Sequence, residues 1–194
     1  MSQASPSDFL ARFAAFPCGA AVKTGDELDA AVRSRAGAVF LLRGNGLELA
    51  PVIRRVHDAG KLAVVHVDLV DGVASDIAGV RWLARSGADA VISSQGQAVR
   101  AVRAEGLVAI QRLLCTSGAA IDLALTAVSR SQPHIVELLP GVILPAVADL
   151  VLPRLGVPLL AGGFVRSGDD VRRLIAAGAL AVTTSERALW NAAG

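Results

Sequence analysis

The chain has 194 residues, of which 53% are hydrophobic, 19% are charged and only 4% are aromatic. Its 19 Lys and Arg residues nearly balance its 17 Asp and Glu residues, which gives a formal net charge of +2. This composition excludes an intrinsically disordered chain, and it lacks the strong positive field that marks a dedicated nucleic-acid-binding domain.

The sequence predicts neither a secretory signal nor a membrane span. The first residues, MSQASPSD, lack the basic and apolar regions of a signal peptide. The longest charge-free runs, such as Leu138 to Ala148, are shorter than the roughly 18 residues that a membrane helix needs. Cys18 and Cys115 lie far apart and outside any C-x-x-C pattern. We therefore expect two buried free thiols in a cytoplasmic protein that has no membrane partner.

Near the N-terminus, the segment Ser5–Phe16 predicts a helix that precedes the rest of the fold. Ser5 suits the N-cap and Pro6 suits the first helical position. Three phenylalanines fall on one stripe of this helix: Phe9, Phe13 and Phe16. We expect a single domain over residues 1–194, in which residues 1–17 form a leading helix that closes the N-terminal end of a barrel over residues 18–194.

After this helix, the apolar residues occur in eight short continuous runs. Such runs are typical of parallel strands that are covered on both faces. The predicted strands are Gly19–Val22, Ala38–Leu42, Leu62–Val67, Ala90–Ser93, Leu107–Arg112, Ile135–Leu138, Pro158–Ala161 and Ala181–Thr183. Stretches with helical spacing lie between them, among them Asp26–Arg35, Leu47–Ala59, Ile77–Ser86, Gly118–Arg130 and Asp169–Ala177.

Capping signals support this alternation of strands and helices. Thr24 and Glu27 form a capping box, and Ser167 precedes two aspartates in the same way. Glycines that follow predicted helices suit left-handed caps: Gly37, Gly60, Gly87 and Gly178. Eight units of roughly 22–24 residues predict an α/β fold, a small (β/α)8 TIM-type barrel with an extra N-terminal helix. An open doubly wound sheet is the alternative, but no G-x-G-x-x-G turn follows the first strand.

In such a barrel, functional residues lie where strands end and helices begin. Gly162 and Gly163 follow strand seven, while Thr184 and Ser185 follow strand eight and open a predicted final helix. Glycines let the backbone approach an anion, and N–H groups at a helix start point toward it. The two loops together predict a phosphate site, whereas either alone indicates an ordinary turn and cap.

Further polar residues are predicted to face the barrel interior. His66 and Asp68 lie two apart on strand three, so both side chains should point inward. They suit an acid–base pair, or contacts to ligand hydroxyls in which Asp68 fixes the imidazole tautomer. Glu137 needs a partner such as Arg112 or Lys23, and the Glu137–Arg112 pair also suits a purely structural network. The three histidines are scattered, so we expect no metal site.

Five motifs in this order resemble the glycerol-3-phosphate-responsive antiterminator family, the regulators of the bacterial glycerol uptake operon. They are HVDLVDG (His66–Gly72), AIQRLL (Ala109–Leu114), VELLPGV (Val136–Val142), AGGFVRS (Ala161–Ser167) and AVTTSERALW (Ala181–Trp190). The resemblance extends from about Cys18 to Trp190. Two positions depart from the family pattern: Gln95, where members tend to carry a basic residue, and Cys115-Thr116-Ser117, where they tend to carry an Asp.

The resemblance implies a regulator without catalytic residues or cofactors. Its effector would be glycerol-3-phosphate, and its partner would be the leader mRNA of glycerol genes, where it prevents premature transcription termination. The phosphate would contact Gly162, Gly163, Thr184 and Ser185. The glycerol hydroxyls would contact some of His66, Asp68, Gln111, Arg112 and Glu137. From the residues alone, an enzyme acting on a phosphorylated polyol or sugar stays open as the alternative, and a homodimer is the default expectation.

Overall fold

A computed structural model describes residues 4–192 of the chain. The extreme ends of the predicted domain, residues 1–3 and 193–194, lie outside the described residues. The described part begins with one α-helix and continues as a barrel of parallel strands.

Eight strands form the barrel, and each runs parallel to its two neighbours. They are β1 Cys18–Val22, β2 Ala38–Leu41, β3 Leu62–His66, β4 Ala90–Ser93, β5 Val108–Leu114, β6 Ile135–Leu139, β7 Leu159–Gly162 and β8 Ala181–Thr184. The sheet closes because β8 pairs with β1, with Cys18 opposite Val182 and Gly19 opposite Thr183. The predicted (β/α)8 barrel is confirmed, and the open sheet is wrong. An additional two-residue ladder pairs Gly44–Asn45 with Val70–Asp71.

Helix α1, Pro6–Ala15, precedes the barrel strands, and each further α-helix follows one of the strands β1–β7 around the outside. These outer helices are α2 Gly25–Val32, α3 Gly46–Asp58, α4 Ile77–Arg85, α5 Gly96–Ala104, α6 Gly118–Ser131, α7 Leu144–Leu155 and α8 Gly168–Ala176. The expected final helix is wrong, because within the described residues only a four-residue 3₁₀ helix, Arg187–Trp190, follows β8. Trp190 is buried there and its Nε1 donates a hydrogen bond to the Thr184 carbonyl at 2.8 Å. This contact holds the 3₁₀ helix against the end of β8.

The capping predictions are confirmed with one exception. Thr24 and Ser167 each form a capping box with the residue three positions on. Gly60, Gly87 and Gly178 adopt positive φ angles, but Gly37 does not. A Cβ atom at Gly37 would lie 3.0 Å from the Cβ of Arg12, so the absence of a side chain there lets α1 pack closely against this loop.

Two apolar cores lie on opposite sides of the barrel wall. Alternate strand residues point in opposite directions, so Ala38 and Phe40 of β2 enter the inner core while Val39 and Leu41 enter the outer core. The inner core fills the barrel with side chains such as Val64, Ile92, Ile110 and Leu160. The outer core joins the strands to the surrounding helices. Both faces of each strand are therefore buried, as the continuous apolar runs predict.

Helix α1 closes the N-terminal end of the barrel, as predicted. Phe9 and Phe13 are almost fully buried in the inner core. Their rings pack edge to face with centroids 5.2 Å apart, and the Phe13 ring lies 6.4 Å from that of Phe40. The helix therefore covers the open N-terminal end of the barrel with aromatic side chains, which bury a large apolar area.

The two cysteines are buried free thiols. Burial raises the pKa of Cys18 to about 12 and that of Cys115 to about 11, so both stay protonated at neutral pH. Among the described residues, no helix combines the length and the apolar character that crossing a membrane requires.

The packing of α1 gives a stability prediction. Replacing the fully buried Phe13 by alanine should lower the free energy of unfolding by about 3–5 kcal/mol, because it removes a ring and leaves a cavity in the inner core. Urea unfolding followed by circular dichroism measures this change. Phe164→Ala is the matched control: that ring is 67% exposed, so its removal should change the value by about 0.5 kcal/mol or less. Equal effects of the two substitutions would contradict the closing role of α1.

Candidate functional site

A cavity of about 410 Å³ opens at the C-terminal ends of the barrel strands, the face on which a functional site was predicted. Three basic side chains line it, from Lys23, Arg112 and Arg166. Two carboxylates, Glu137 and Glu186, face the same space. Hydroxyl groups and apolar side chains complete the wall: Thr183, Thr184, Ser185, Phe40, Leu42 and Leu139.

An ion pair between Arg112 and Glu137 forms the floor of this cavity. The Nε and Nη2 atoms of Arg112 lie 2.8 and 2.7 Å from Glu137 Oε2. The other carboxylate oxygen, Oε1, accepts a hydrogen bond from the Thr183 hydroxyl at 2.7 Å. Glu137 is only 2% exposed. Both oxygens of this buried carboxylate therefore need partners, and these contacts provide them. The predicted pairing of Glu137 with Arg112 is confirmed.

Gly162 supports this floor from the neighbouring strand. A Cβ atom at Gly162 would collide with Thr183 Oγ1 and would lie 2.9 Å from Glu137 Oε1. The missing side chain is thus the space in which the Thr183–Glu137 hydrogen bond forms. Gly162 is itself buried and does not line the cavity. Its position therefore directly supports this structural role.

The loop after β7 carries Gly163, Phe164 and Arg166 to the rim of the cavity. Gly163 and Phe164 both have positive φ angles, +85° and +59°, and the second is unusual for an aromatic residue. The Phe164 ring is exposed, and the Arg166 guanidinium lies 5.9 Å from its centroid. Neither the Phe164 nor the Val165 N–H donates a hydrogen bond to a residue that the structure describes. Phe164 and Arg166 were not among the predicted site residues, although both lie within the motif AGGFVRS.

The two residues after β8 that were predicted to bind phosphate differ in how accessible they are to a ligand. The Thr184 hydroxyl donates to the Val165 carbonyl at 2.7 Å and accepts from the Glu186 N–H at 3.0 Å. It therefore ties the loops after β7 and β8 together. Ser185 is exposed and lines the cavity. Because the segment after β8 is one short 3₁₀ helix, the helix N-terminus expected there does not contribute.

His66 lies at the end of β3, inside the barrel, as predicted. It is 3% exposed, and neither ring nitrogen has a hydrogen-bond partner among the described residues. Burial and the nearby Arg112 charge lower the pKa of His66 to about 4, against a smaller opposite effect of Asp68. The imidazole is therefore neutral at physiological pH, with one donor and one acceptor position unused by the protein.

Asp68 does not fix the imidazole tautomer, which corrects that expectation. The strand ends at His66, and Val67–Leu69 form a 3₁₀ turn that carries the Asp68 carboxylate toward β4. It accepts hydrogen bonds there from the hydroxyls of Ser75, Ser93 and Ser94, from the Ser94 N–H, and at 3.4 Å from Gln95. Burial alone would raise the pKa of Asp68, but these hydrogen bonds outweigh it and hold the pKa below the ordinary value.

Gln111 does not join the other predicted residues. Its side chain is buried outside the barrel, where its carbonyl oxygen accepts a hydrogen bond from the Ser131 hydroxyl of α6. Gln111 and Arg112 are neighbours on β5, so only one of them points inward. Arg112 takes that position, and the structure separates Gln111 from the cavity.

The structure thus brings Arg112, Glu137, Gly163, Thr184 and Ser185 to one cavity.

The described part of the chain, residues 4–192, holds no group of three or more His, Cys, Asp or Glu side chains that is suited to a metal ion. Two carboxylates line the cavity, and its other polar side chains carry guanidinium, ammonium and hydroxyl groups. Guanidinium, ammonium and hydroxyl groups bind oxyanions such as phosphate. The fold and the site together define a small (β/α)8 barrel whose C-terminal face suits an anionic polar ligand.

Comparison with known proteins identifies the family. The sequence model described as "Glycerol-3-phosphate responsive antiterminator" matches residues 19–190. The chain belongs to this family, which confirms the resemblance seen in the five motifs. It is 33% identical over 178 residues to the uncharacterized protein YgcP of Escherichia coli strain K12, a match that covers 91% of this chain and 93% of that protein.

Two solved structures share the fold over nearly their whole length. The glycerol uptake operon antiterminator regulatory protein of Listeria monocytogenes has a TM-score of 0.86 and 28% identity, over 90% of this chain and 95% of that one. A glycerol uptake operon antiterminator-related protein of Thermotoga maritima has a TM-score of 0.80 and 25% identity, over 89% and 96% of the two chains.

The unpaired imidazole of His66 predicts a pH dependence of stability. The unfolded chain protonates this group near pH 6.5, whereas the folded chain does so only near pH 4. The unfolded state therefore binds more protons in this range, and the free energy of unfolding should fall as the pH decreases through it, by about 3 kcal/mol for this group. Urea unfolding is measured between pH 7 and pH 4, which is about the range of the two pKa values. Over this range the free energy of unfolding should decrease less for His66→Leu than for the wild type. Parallel pH profiles would refute this prediction.

Proposed function

We propose that the cavity binds glycerol-3-phosphate and that the protein is an effector-responsive, RNA-binding antiterminator of glycerol genes. The observation that carries this proposal is the convergence of Lys23, Arg112 and Arg166 with the loops after β7 and β8 in one cavity. A dianionic phosphate requires such a set of cations and N–H donors. Membership in a family described as glycerol-3-phosphate responsive supports the choice of ligand.

The chemistry of the wall supports one orientation of the ligand. The phosphate group fits the rim, where Ser185, Lys23 and Arg166 lie beside the backbone at Gly163. The glycerol hydroxyls fit the floor, because the Arg112–Glu137 pair offers both donors and an acceptor. The unpaired nitrogens of His66 lie near Arg112, so a hydroxyl or a bridging water that reaches them would satisfy a buried group otherwise left without a partner.

Two features favour a sensor over an enzyme. The Arg112–Glu137–Thr183 network holds Glu137 in an ion pair, so this carboxylate is not a free general base. Asp68 accepts several hydrogen bonds that favour its charged form, which makes it a poor proton acceptor. We therefore propose that ligand binding is the endpoint and that no bond of the ligand is broken.

Membership in a family described as an antiterminator supports the proposal of an RNA partner. Of the 19 basic residues, 17 are arginines, the side chain that best fits phosphate oxygens. The net charge of +2 is small for a nucleic-acid-binding protein. Recognition of leader mRNA therefore depends on where the arginines lie and on the effector, and not on a general positive field.

Ligand binding is tested by thermal denaturation with glycerol-3-phosphate, with glycerol and inorganic phosphate as comparison ligands. Glycerol-3-phosphate should raise the Tm more than either fragment does, since a ligand that binds only the folded state stabilises it by mass action. The same mixture is then incubated overnight and analysed for products. Stabilisation without turnover supports the sensor, and conversion of glycerol-3-phosphate would establish an enzyme in its place.

The position of the ligand is tested by Gly163→Asp, which should abolish the Tm increase. A side chain at Gly163 would contact Leu139 at 2.8 Å, and a carboxylate there would repel phosphate. Gly156→Asp is the matched control, because Gly156 also has a positive φ angle but has open space around it at the end of α7. Ser185→Asp adds the same charge without backbone strain and should act like Gly163→Asp. A full Tm increase in both cavity variants would place the ligand elsewhere.

RNA binding is tested with the transcribed leader of a glycerol gene and an unrelated transcript of equal length. Glycerol-3-phosphate should strengthen binding to the leader transcript selectively. The affinity should fall as salt rises, because phosphate contacts release counterions. Fluorescence anisotropy with labelled RNA measures both effects. Failure to bind the leader at low salt with saturating effector would refute antitermination through RNA.

A further inference from the structure

A second cleft, of about 790 Å³, opens at the opposite end of the barrel, beside the N-terminal ends of β3 and β4. Helices α1, α3 and α4 form its walls. Four basic residues line it: Arg12, Arg54, Lys61 and Arg85. We call it the basal cleft. It shares no residue with the cavity at the other end of the barrel.

The basal cleft contains two carboxylates, Asp8 and Asp89, against these four basic residues. Asp89 is buried, and its Oδ2 accepts hydrogen bonds at 2.8 Å from both His57 Nε2 and the Ala63 N–H. Asp8 accepts hydrogen bonds from Ser5 in the cap of α1. Within residues 4–192, no salt bridge joins either carboxylate to one of the three arginines. Positive charge therefore exceeds negative charge in the basal cleft.

The fold explains only some of these basic residues. The Lys61 ammonium is buried and donates hydrogen bonds to the Ser34 and Ala36 carbonyls at 2.7 and 2.6 Å. Arg12 and Arg85 lie in the last turns of α1 and α4, where a cation interacts favourably with the helix dipole. Arg54 lies further inside α3, is exposed and forms no ion pair among the described residues. Helix capping does not require three guanidinium groups in a single cleft.

We propose that the basal cleft binds the sugar–phosphate backbone of RNA through Arg12, Arg54 and Arg85. This inference rests on the proposed function for the presence of RNA and adds its location. Guanidinium groups bind phosphate oxygens in a bidentate manner, and a cleft in which basic residues outnumber carboxylates is complementary to a polyanion. Because effector and RNA would occupy opposite ends of the barrel, both can be bound at once, as an effector-dependent RNA complex requires.

Helix α1 supplies a packed connection between the two ends. Arg12 lines the basal cleft, and the next residue, Phe13, lies in the inner core. The Phe13 ring packs 6.4 Å from Phe40, which lines the cavity proposed for the effector. A ligand that shifts Phe40 therefore acts on the helix that carries Arg12. This connection gives the effector a physical means to change the geometry of the basal cleft.

The experiment compares Arg54→Ala and Arg85→Ala with the wild type. Binding of labelled leader transcript is measured with glycerol-3-phosphate at several salt concentrations. Each substitution should weaken binding by about tenfold, the loss of one charge-assisted contact, and should reduce the slope of log affinity against log salt by about one. Arg130→Ala is the matched control, since Arg130 is exposed on α6 away from the basal cleft. It should bind RNA like the wild type.

The outcomes separate this inference from the proposed function. If the wild type binds the leader transcript and both cleft variants bind it equally well with the same salt slope, the basal cleft is not the RNA surface, while the proposed function stands. If the wild type binds no RNA, both are overturned. The Tm increase with glycerol-3-phosphate is measured on the same samples and should be unchanged in every variant. This measurement shows that a loss of RNA binding does not come from misfolding or from damage to the effector cavity.

Discussion

The ion pair between Arg112 and Glu137 is the interaction on which the C-terminal end of this barrel depends. A carboxylate that is 2% exposed is stable only when it is paired and hydrogen-bonded, and removing one member of a buried pair typically costs about 3–5 kcal/mol. Arg112 supplies the charge, and Thr183 supplies the hydrogen bond to the second oxygen. Gly162 is required because any side chain there would occupy the same space. Three strands are thereby held in one arrangement beneath the cavity.

The two ends of the barrel differ in the side chains that cover them. At the N-terminal end, Phe9 and Phe13 of α1 cover the inner core and exclude water. At the C-terminal end, the apolar filling stops and polar side chains take over, which leaves space for a ligand above the Arg112–Glu137 pair. Phe40 belongs to both regions, since it packs against Phe13 and also lines the cavity. The polar end is where a small anion fits, and the closed end presents a separate basic surface to the outside.

Most of the fold could be predicted from the sequence because the signals are local. Continuous apolar runs identify strands covered on both faces, and cap residues such as Thr24 and Ser167 mark helix starts. The 3₁₀ helix at Arg187–Trp190 could not be predicted in this way. Its length depends on the burial of Trp190 against the barrel, a contact between residues that local patterns do not reveal.

The sequence by itself determined the barrel, its leading helix, the family and the loops that border the cavity, because periodicity, caps and motifs are properties of neighbouring residues. The tertiary structure decided which polar side chains share the cavity. Gln111 and Arg112 look equally suitable in sequence, yet the register of β5 directs one to α6 and the other to Glu137. Likewise, the chain leaves the strand after His66, so Asp68 contacts serines and leaves the imidazole unpaired. Side-chain direction and hydrogen-bond partners follow from how the strands close around one another, and only the folded barrel specifies them.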